Sequence, residues 1–387
     1  MKKVMLMMIW AFMLCRAGEK PEKVLRIVYE VESDSWYKTQ AALWRKEIER
    51  NSANPQAWLN YYYANRYQKF AELHSESRQA RLDSIIGAME RAIPGTYECH
   101  YLKAFQYCGR GDGSDLLKAH ELAPGRPDHY HLLVDYYRLK GDKDGFDDYY
   151  TLWYHSHDLA PWLLNFNYNM LMSVETDGIL ITNGDNDTFP AEMLQRVKKV
   201  RPDVTVLNIS LSKIESYLKD KLAEKGISID LESLNESSQI EGEHSPHLFL
   251  KNLCQILTRD HPDIPIHFAV TVFSSSIGDL KDDLYLVGLA FRYSPDRIDN
   301  FALLRKNLEQ NFRLDYLDQD WYTEKYPGVK LMTNINMNYV APAVLLARHY
   351  KAGGQAEKAA FWHSFAVKLA RAAGREQSLA EIEKADL

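Results

Sequence analysis

The residues best placed to do chemistry lie in one short stretch, Asn183-Gly184-Asp185-Asn186-Asp187-Thr188. Two carboxylates one residue apart, with side-chain amides and a hydroxyl between and beside them, form an oxygen-rich set. Hard divalent cations take such ligands, and sugar hydroxyls donate to them. Asp185 and Asp187 are therefore the candidate metal ligands. Asn183, Asp185, Asn186, Asp187, Thr188 and the later Asn208 form the candidate ligand-binding set, with a divalent cation as the only cofactor indicated. Charge sign narrows the ligand. A helix N-terminus by itself attracts anions, but two carboxylates in front of it cancel that attraction. A cation, a metal-bridged phosphate or a polyol fits better than a bare phosphate. A purely structural reading stands beside this one: Asp187 or Thr188 caps the following helix, with Pro190 in its first turn. That accounts for Asp187 or Thr188 but not for the second carboxylate, Asp185.

These residues need a strand before them and a helix after them. Residues 178–183 form a short apolar run of strand length, Met193, Leu194, Val197 and Val200 share one helical face, and residues 204–211 read as a second strand. Strand, helix and strand make a βαβ unit with its two strands parallel. Residues 265–273 and 284–291 read as two more strands, and their near-continuous apolar character predicts a mainly parallel sheet covered on both faces. The acidic loop then falls at the carboxyl end of a strand, where open α/β sheets bind ligands. Between these strands, residues 231–247 are polar and acidic and read as a surface loop or partly disordered insert. Beyond the sheet, residues 339–350 and 356–373, joined by Gly353-Gly354, predict a C-terminal helical hairpin.

The first half has the period of helices. Tyr37, Ala41, Trp44 and Ile48 form one apolar stripe, Leu82, Ile85, Ile86 and Met89 another, and Phe146, Tyr149, Tyr150 and Trp153 a further one. Pro55, Pro94, Pro124 and Pro161 mark helix starts 39, 30 and 37 residues apart, near the ~34-residue period of tetratricopeptide repeats. The segment from Ala123-Pro124 through Tyr130-His131-Leu132-Leu133 to Gly141-Asp142 resembles that family. The reading is an N-terminal tetratricopeptide-like array of helical hairpins over residues 18–172, an α/β domain over 173–335 and a helical hairpin and tail over 336–387. Tyr61-Tyr62-Tyr63 point in three directions on a helix, so at least one is core. His129 with His131, and His155 with His157, diverge on a helix and make poor metal pairs.

The chain opens with Lys2-Lys3, an apolar run from Val4 to Leu14, and Cys15-Arg16-Ala17 before Gly18. This is the pattern of a cleavable signal peptide over residues 1–17, and it predicts export to the periplasm or envelope. Acylation at Cys15 would give an anchored lipoprotein, although bulky Leu14 disfavours it. After cleavage, 44 basic and 53 acidic residues remain, a net charge of −9. Nucleic acid is therefore excluded as a partner. No later segment reaches the ~18 apolar residues of a membrane span. Cys99, Cys108 and Cys254 are left, an odd number that reads as core thiols rather than a disulfide framework.

One stretch carries a definite likeness. Asn183-Gly184-Asp185-Asn186-Asp187-Thr188-Phe189-Pro190, then Gln195, Arg201-Pro202-Asp203-Val204, Asn208-Ile209-Ser210-Leu211 and Gly288-Leu289-Ala290-Phe291-Arg292-Tyr293-Ser294-Pro295, resembles the soluble C-terminal region of bacterial protein O-mannosyltransferase-like membrane proteins. The cover runs over roughly residues 160–370. The resemblance implies a shared fold and a shared loop. The family's multi-span membrane half has no counterpart in this sequence, and Ala191-Glu192-Met193 replaces the aromatic residues usual after the proline, so transferase activity is not implied.

Two functions compete. The first is an exported, non-enzymatic binding or scaffold protein of the cell envelope that docks a protein or glycan partner on its repeats. The alternative is a metal-dependent, glycosyltransferase-related enzyme acting on sugars or phosphates through Asp185 and Asp187. A phosphatase version with Asp185 as nucleophile, Asp187 as acid and Ser274 as phosphate ligand fails, because Lys281 and Asp282-Asp283 precede the next strand instead of following it. Export is checked directly: N-terminal sequencing of the protein from expressing cells should find a mature form starting near Gly18, outside the cytoplasm. Intact Met1 on a soluble cytoplasmic protein would refute it.

Overall fold

The computed structural model describes residues 20–68, 75–107, 112–240, 243–318, 326 and 328–384. The expected leader over residues 1–17, with Cys15, and Cys108 lie outside them. The chain divides between Leu132 and Leu133 into two compact units. The first holds α1 (Asp34–Arg50), α2 (Pro55–Tyr67), α3 (Glu76–Ala92), α4 (Tyr97–Gln106) and α5 (Ser114–Leu122), and the boundary falls inside α6 (Tyr130–Leu139). In the second unit α7 (Lys143–His155) and α8 (Pro161–Met172) follow, then β1 (Ile179–Thr182), α9 (Asp185–Lys198), β2 (Thr205–Asn208), α10 (Glu215–Ala223) and α11 (Leu231–Ser237). Next come β3 (Gln239–Ile240), β4 (Glu243–His244), α12 (Pro246–Asp260), β5 (Ile266–Ala269), α13 (Ser274–Ile277), β6 (Leu284–Leu286) and β7 (Ala290–Tyr293). The chain closes with α14 (Asn300–Lys306), α15 (Val329–Asn336), α16 (Val340–Ala352), α17 (Ala356–Ala372) and α18 (Glu376–Lys384).

The first unit is a set of helical hairpins, α1 packing on α2 and α4 on α5. Pro55 opens α2, and the Asn54 side chain caps it by accepting from the amides of Gln56 and Ala57. Tyr62 and Tyr63 are core, and the Tyr63 hydroxyl bonds that of Tyr101 at 2.8 Å. His129 and His131 do part: His129 meets Tyr97 and His120, while His131 faces Arg26. Cys99 and Cys254 are buried free thiols, and burial pushes Cys99 up to about 11.

The second unit is built on a five-stranded sheet of order β2-β1-β5-β7-β6. β1 pairs in parallel with both β2 and β5, in the register Ile179 with Thr205 and Ile179 with Ile266. Every residue of β1, β2 and β5 is buried, as a sheet covered on both faces requires. The sheet is mixed rather than mainly parallel at its far edge, where β7 runs antiparallel to β5 and β6. The expected single strand over 284–291 is two strands, folded back at Val287-Gly288-Leu289. Gly288 has φ +145°, a conformation other residues rarely adopt, and the Ser173 hydroxyl accepts the Leu289 amide at 2.9 Å. Residues 231–247 are also not the expected loop. Asp230 caps α11 through the Ser233 amide, Leu231 and Leu234 are buried as its anchor, and the β3–β4 ladder and the start of α12 follow.

The C-terminal helices α16 and α17 form the expected hairpin, and α18 extends it. Among the described residues no helix is long and apolar enough to cross a membrane. The tightest constraint in the sheet is the Gly288 turn, where a Cβ would stand 2.7 Å from the Ser173 hydroxyl and 2.8 Å from the Phe312 ring. Gly288→Ala should therefore cost about 1–3 kcal/mol in denaturant unfolding, from backbone strain and overpacking together. An unchanged unfolding midpoint would contradict the turn as described.

Candidate functional site

The acidic loop joins β1 to α9 at the carboxyl edge of the sheet, as the sequence predicts, but the helix begins earlier than expected. Gly184 is its N-cap, and Asp187 sits in the first turn instead of capping it. Asp187 reaches back: its two carboxylate oxygens each accept a backbone amide, from Asn183 and Gly184, both at 2.7 Å, and the Thr271 hydroxyl donates to it as well. Burial raises its pKa, and these donors oppose the rise. Pro190 then falls inside the helix. A proline has no N–H for the carbonyl four residues back, here that of Asn186, and the Asn167 side-chain amide fills that place at 2.9 Å.

The structure brings together most of the proposed ligand-binding set, as a joint between elements. The Thr182 and Thr188 hydroxyls bond at 2.7 Å, and the Asn208 amide donates to Thr188 at 2.9 Å, tying β1, α9 and β2 to one point. The Asn208 side-chain oxygen Oδ1 accepts the amides of Ser210 and Leu211, which ends β2 two residues short of Ser210. Thr188, Asn208 and Asp187 are all buried. Asp185, by contrast, is exposed on the first turn of α9, and Asn183 and Asn186 are half-buried. Among the described residues no group of three or more His, Cys, Asp or Glu side chains is arranged to hold a metal ion.

A charged cluster that local spacing does not reveal lies further along α9. Glu192 is 1% exposed. Its carboxylate accepts from Lys221 of α10 at 2.8 Å, from the Tyr150 hydroxyl of α7 at 2.6 Å and from the Arg138 guanidinium of α6. Burial alone would raise the Glu192 pKa, but the charges of Arg138 and Lys221 hold it at about 2. Arg138 is also surrounded by rings, its guanidinium carbon 5.0 Å from the centre of Phe146 and 5.7 Å from that of Tyr217. On the same helix, the Asp135 Oδ1 atom is buried without a hydrogen-bond partner, 3.8 Å from Arg138 Nε. Burial pushes Asp135 up to about 7. Arg138 opposes the rise, and the carboxylates of Asp185 and Glu192 add to it. The one sign of the cluster in the sequence is an acid set among Phe189, Ala191, Met193 and Leu194. Where one stretch of a helix is apolar on every side, the acid within it is buried and needs a partner.

Beside the cluster opens a pocket of about 420 Å³. Tyr137, Phe146 and Tyr217 bring rings to its wall, and Arg138, Lys221, Arg196, Asp220 and Glu224 bring charge. Such a cavity has the size and the mix of flat apolar surface and a few polar groups found in small-ligand sites.

Part of this unit matches a known family. The model described as TMEM260-associated domain 2 covers residues 163–256, from α8 into α12, and so includes the acidic loop, Glu192 and Lys221. TMEM260 is related to protein O-mannosyltransferase-like proteins. No curated protein matches the chain.

The two aspartates of the loop should separate in experiment. Asp187→Asn should destabilise the protein by about 1–3 kcal/mol, because buried amide donors lose an ionised acceptor. Asp185→Asn, at an exposed position, should shift the denaturation midpoint little. Equal effects of the two changes would contradict the inward role of Asp187.

Proposed function

We propose that this is an exported, non-enzymatic binding protein of the cell envelope that docks a protein or glycan partner, and that the pocket between α6, α7, α9 and α10 holds the glycan. The pocket lining carries this reading. Rings of Tyr137, Phe146 and Tyr217 offer faces for the C–H surfaces of a sugar, while Asp220 and Glu224 accept from hydroxyls and Arg196 and Lys221 donate to their oxygens. The leader over residues 1–17 and the helical hairpins of the first unit support the location and the docking role. Against a catalytic use of the acidic loop stands the engagement of both Asp187 oxygens with backbone amides.

The oxygen-rich loop and its likeness to protein O-mannosyltransferase-like proteins leave a second reading, a metal-dependent enzyme on sugar or phosphate substrates with Asp185 and Asp187 on a divalent cation. It requires Asp187 to leave its amides. Calorimetry with Mn²⁺ separates the two: the binding-protein reading expects no saturable uptake that Asp185→Asn removes. For the glycan itself, a glycan array probed with the mature chain should give a saturable ligand. Tyr137→Ala should weaken that ligand about tenfold, the loss of about 1.4 kcal/mol, while keeping the native thermal transition. Saturable Mn²⁺ binding lost in Asp185→Asn, together with sugar transfer, would replace the proposal by the enzyme reading.

A further inference from the structure

We propose that the pocket recognises an acidic sugar, one carrying a carboxylate or phosphate, through Arg138 and Lys221. The proposal rests on the reading of this pocket as a glycan site and names the class of glycan.

The argument begins with unequal pairing. Arg138 and Lys221 share the carboxylate of Glu192, Asp135 stands farther off at 3.8 Å from Arg138 Nε, and both cations line the pocket. A guanidinium has five N–H donors. Arg138 directs Nη2 to Glu192 and to the Tyr150 hydroxyl, at 3.2 Å for the latter, whereas its Nε and Nη1 are buried without a hydrogen-bond partner. The side chain is 8% exposed, so bulk water does not serve those donors freely. Buried donors of a charged group are costly to leave unmade, and an oxyanion is the partner that satisfies them best. Arg196 on the same wall is already occupied by Asp147 at 3.0 Å, so it is not the surplus cation. Asp142, Asp220 and Glu224 also face the pocket. They repel a bare anion and accept from hydroxyls, which selects an anion carried on a polyol.

Asp135 gives the site a dependence on pH. It is the nearest competing anion, with Oδ1 3.8 Å from Arg138 Nε. The groups facing it are Arg138 on its own helix, Tyr150 of α7, and Asp185 and Glu192 of α9. Burial raises it to about 7. Below that pH it is neutral and leaves Arg138 to the ligand; above it, the ionised carboxylate competes. Anion binding therefore strengthens as pH falls through about 7 and weakens as pH rises.

The test is calorimetry of the mature chain with three probes: a hexuronate, a hexose 6-phosphate and the neutral parent hexose. The two acidic sugars should bind at least tenfold more tightly than the neutral one, and whichever is tighter names the acidic group. Binding of the hexuronate, whose charge is constant over the range, should weaken roughly tenfold from pH 6 to pH 8, following the protonated fraction of Asp135. Asp135→Asn keeps the shape of the side chain and should hold the pH 6 affinity at both pH values. Lys221→Met should lose the preference for acidic over neutral sugar. Neutral hexose bound as tightly as the acids would overturn the proposal and leave the glycan reading standing. A pH dependence unchanged in Asp135→Asn would remove Asp135 from it. No binding of any of the three would end both readings.

Discussion

The second unit depends on keeping one carboxylate ionised in the dark of its core. Glu192 stands where water does not reach, and an isolated charge there would cost many kcal/mol. Three elements converge to prevent that, α6 with Arg138, α7 with Tyr150 and α10 with Lys221, all aimed at α9. A buried ion network of this kind is weak evidence of stability, because hydrophobic replacements often do as well. Its effect is geometric. Each donor has one direction in which it is satisfied, so the four helices are held in one arrangement and the pocket beside them has one shape.

The acidic loop belongs to the same arrangement from the other end of α9. Asp187 closes the first turn, Asn167 supplies the donor that Pro190 lacks, and Thr182, Thr188 and Asn208 fix the helix to two strands. With its start tied to the sheet in this way, α9 carries Arg196 to the pocket and Glu192 to the charged cluster beside it without freedom to slide. The oxygen-rich composition that reads as a ligand set is then used chiefly on the protein's own backbone, with Asp185 left at the surface. Loop and cluster are linked electrostatically through Asp135, whose pKa Arg138 lowers and Asp185 raises.

How far the sequence reveals this follows from the range of each interaction. β1 and β2 are legible because burial on both faces leaves an unbroken Ile-Leu-Ile run and its partner. The strands at the far edge merge in the sequence because the turn at Gly288 is as apolar as the strands it joins. Residues 231–247 read as loop because their polar composition outweighs two leucines, Leu231 and Leu234, that are enough to seat a helix. The start of α9 is misplaced because the donor that permits Pro190 inside it comes from Asn167, on α8. The candidate loop is legible as a place but not in its use, since only the fold turns Asp187 inward. The Arg138, Glu192 and Lys221 cluster is the least legible of all. Its members are 54 and 29 residues apart, and no local period links them.

The central claim, that Glu192 is held ionised by Arg138 and Lys221, sets a pH window. Its pKa is lowered from the ordinary carboxylate value of 4.5 to about 2, so its contribution to stability is complete above 4.5 and is lost as pH falls toward 2. Unfolding free energies of the native chain and of Glu192→Gln, measured by denaturant titration from pH 7 down to pH 3, test this directly. The account predicts a variant less stable by about 3–5 kcal/mol at pH 7, where two buried cations lose their anion, with the gap narrowing steadily below pH 4.5. A variant as stable as the native chain at pH 7, or a gap that does not change with pH, would contradict it.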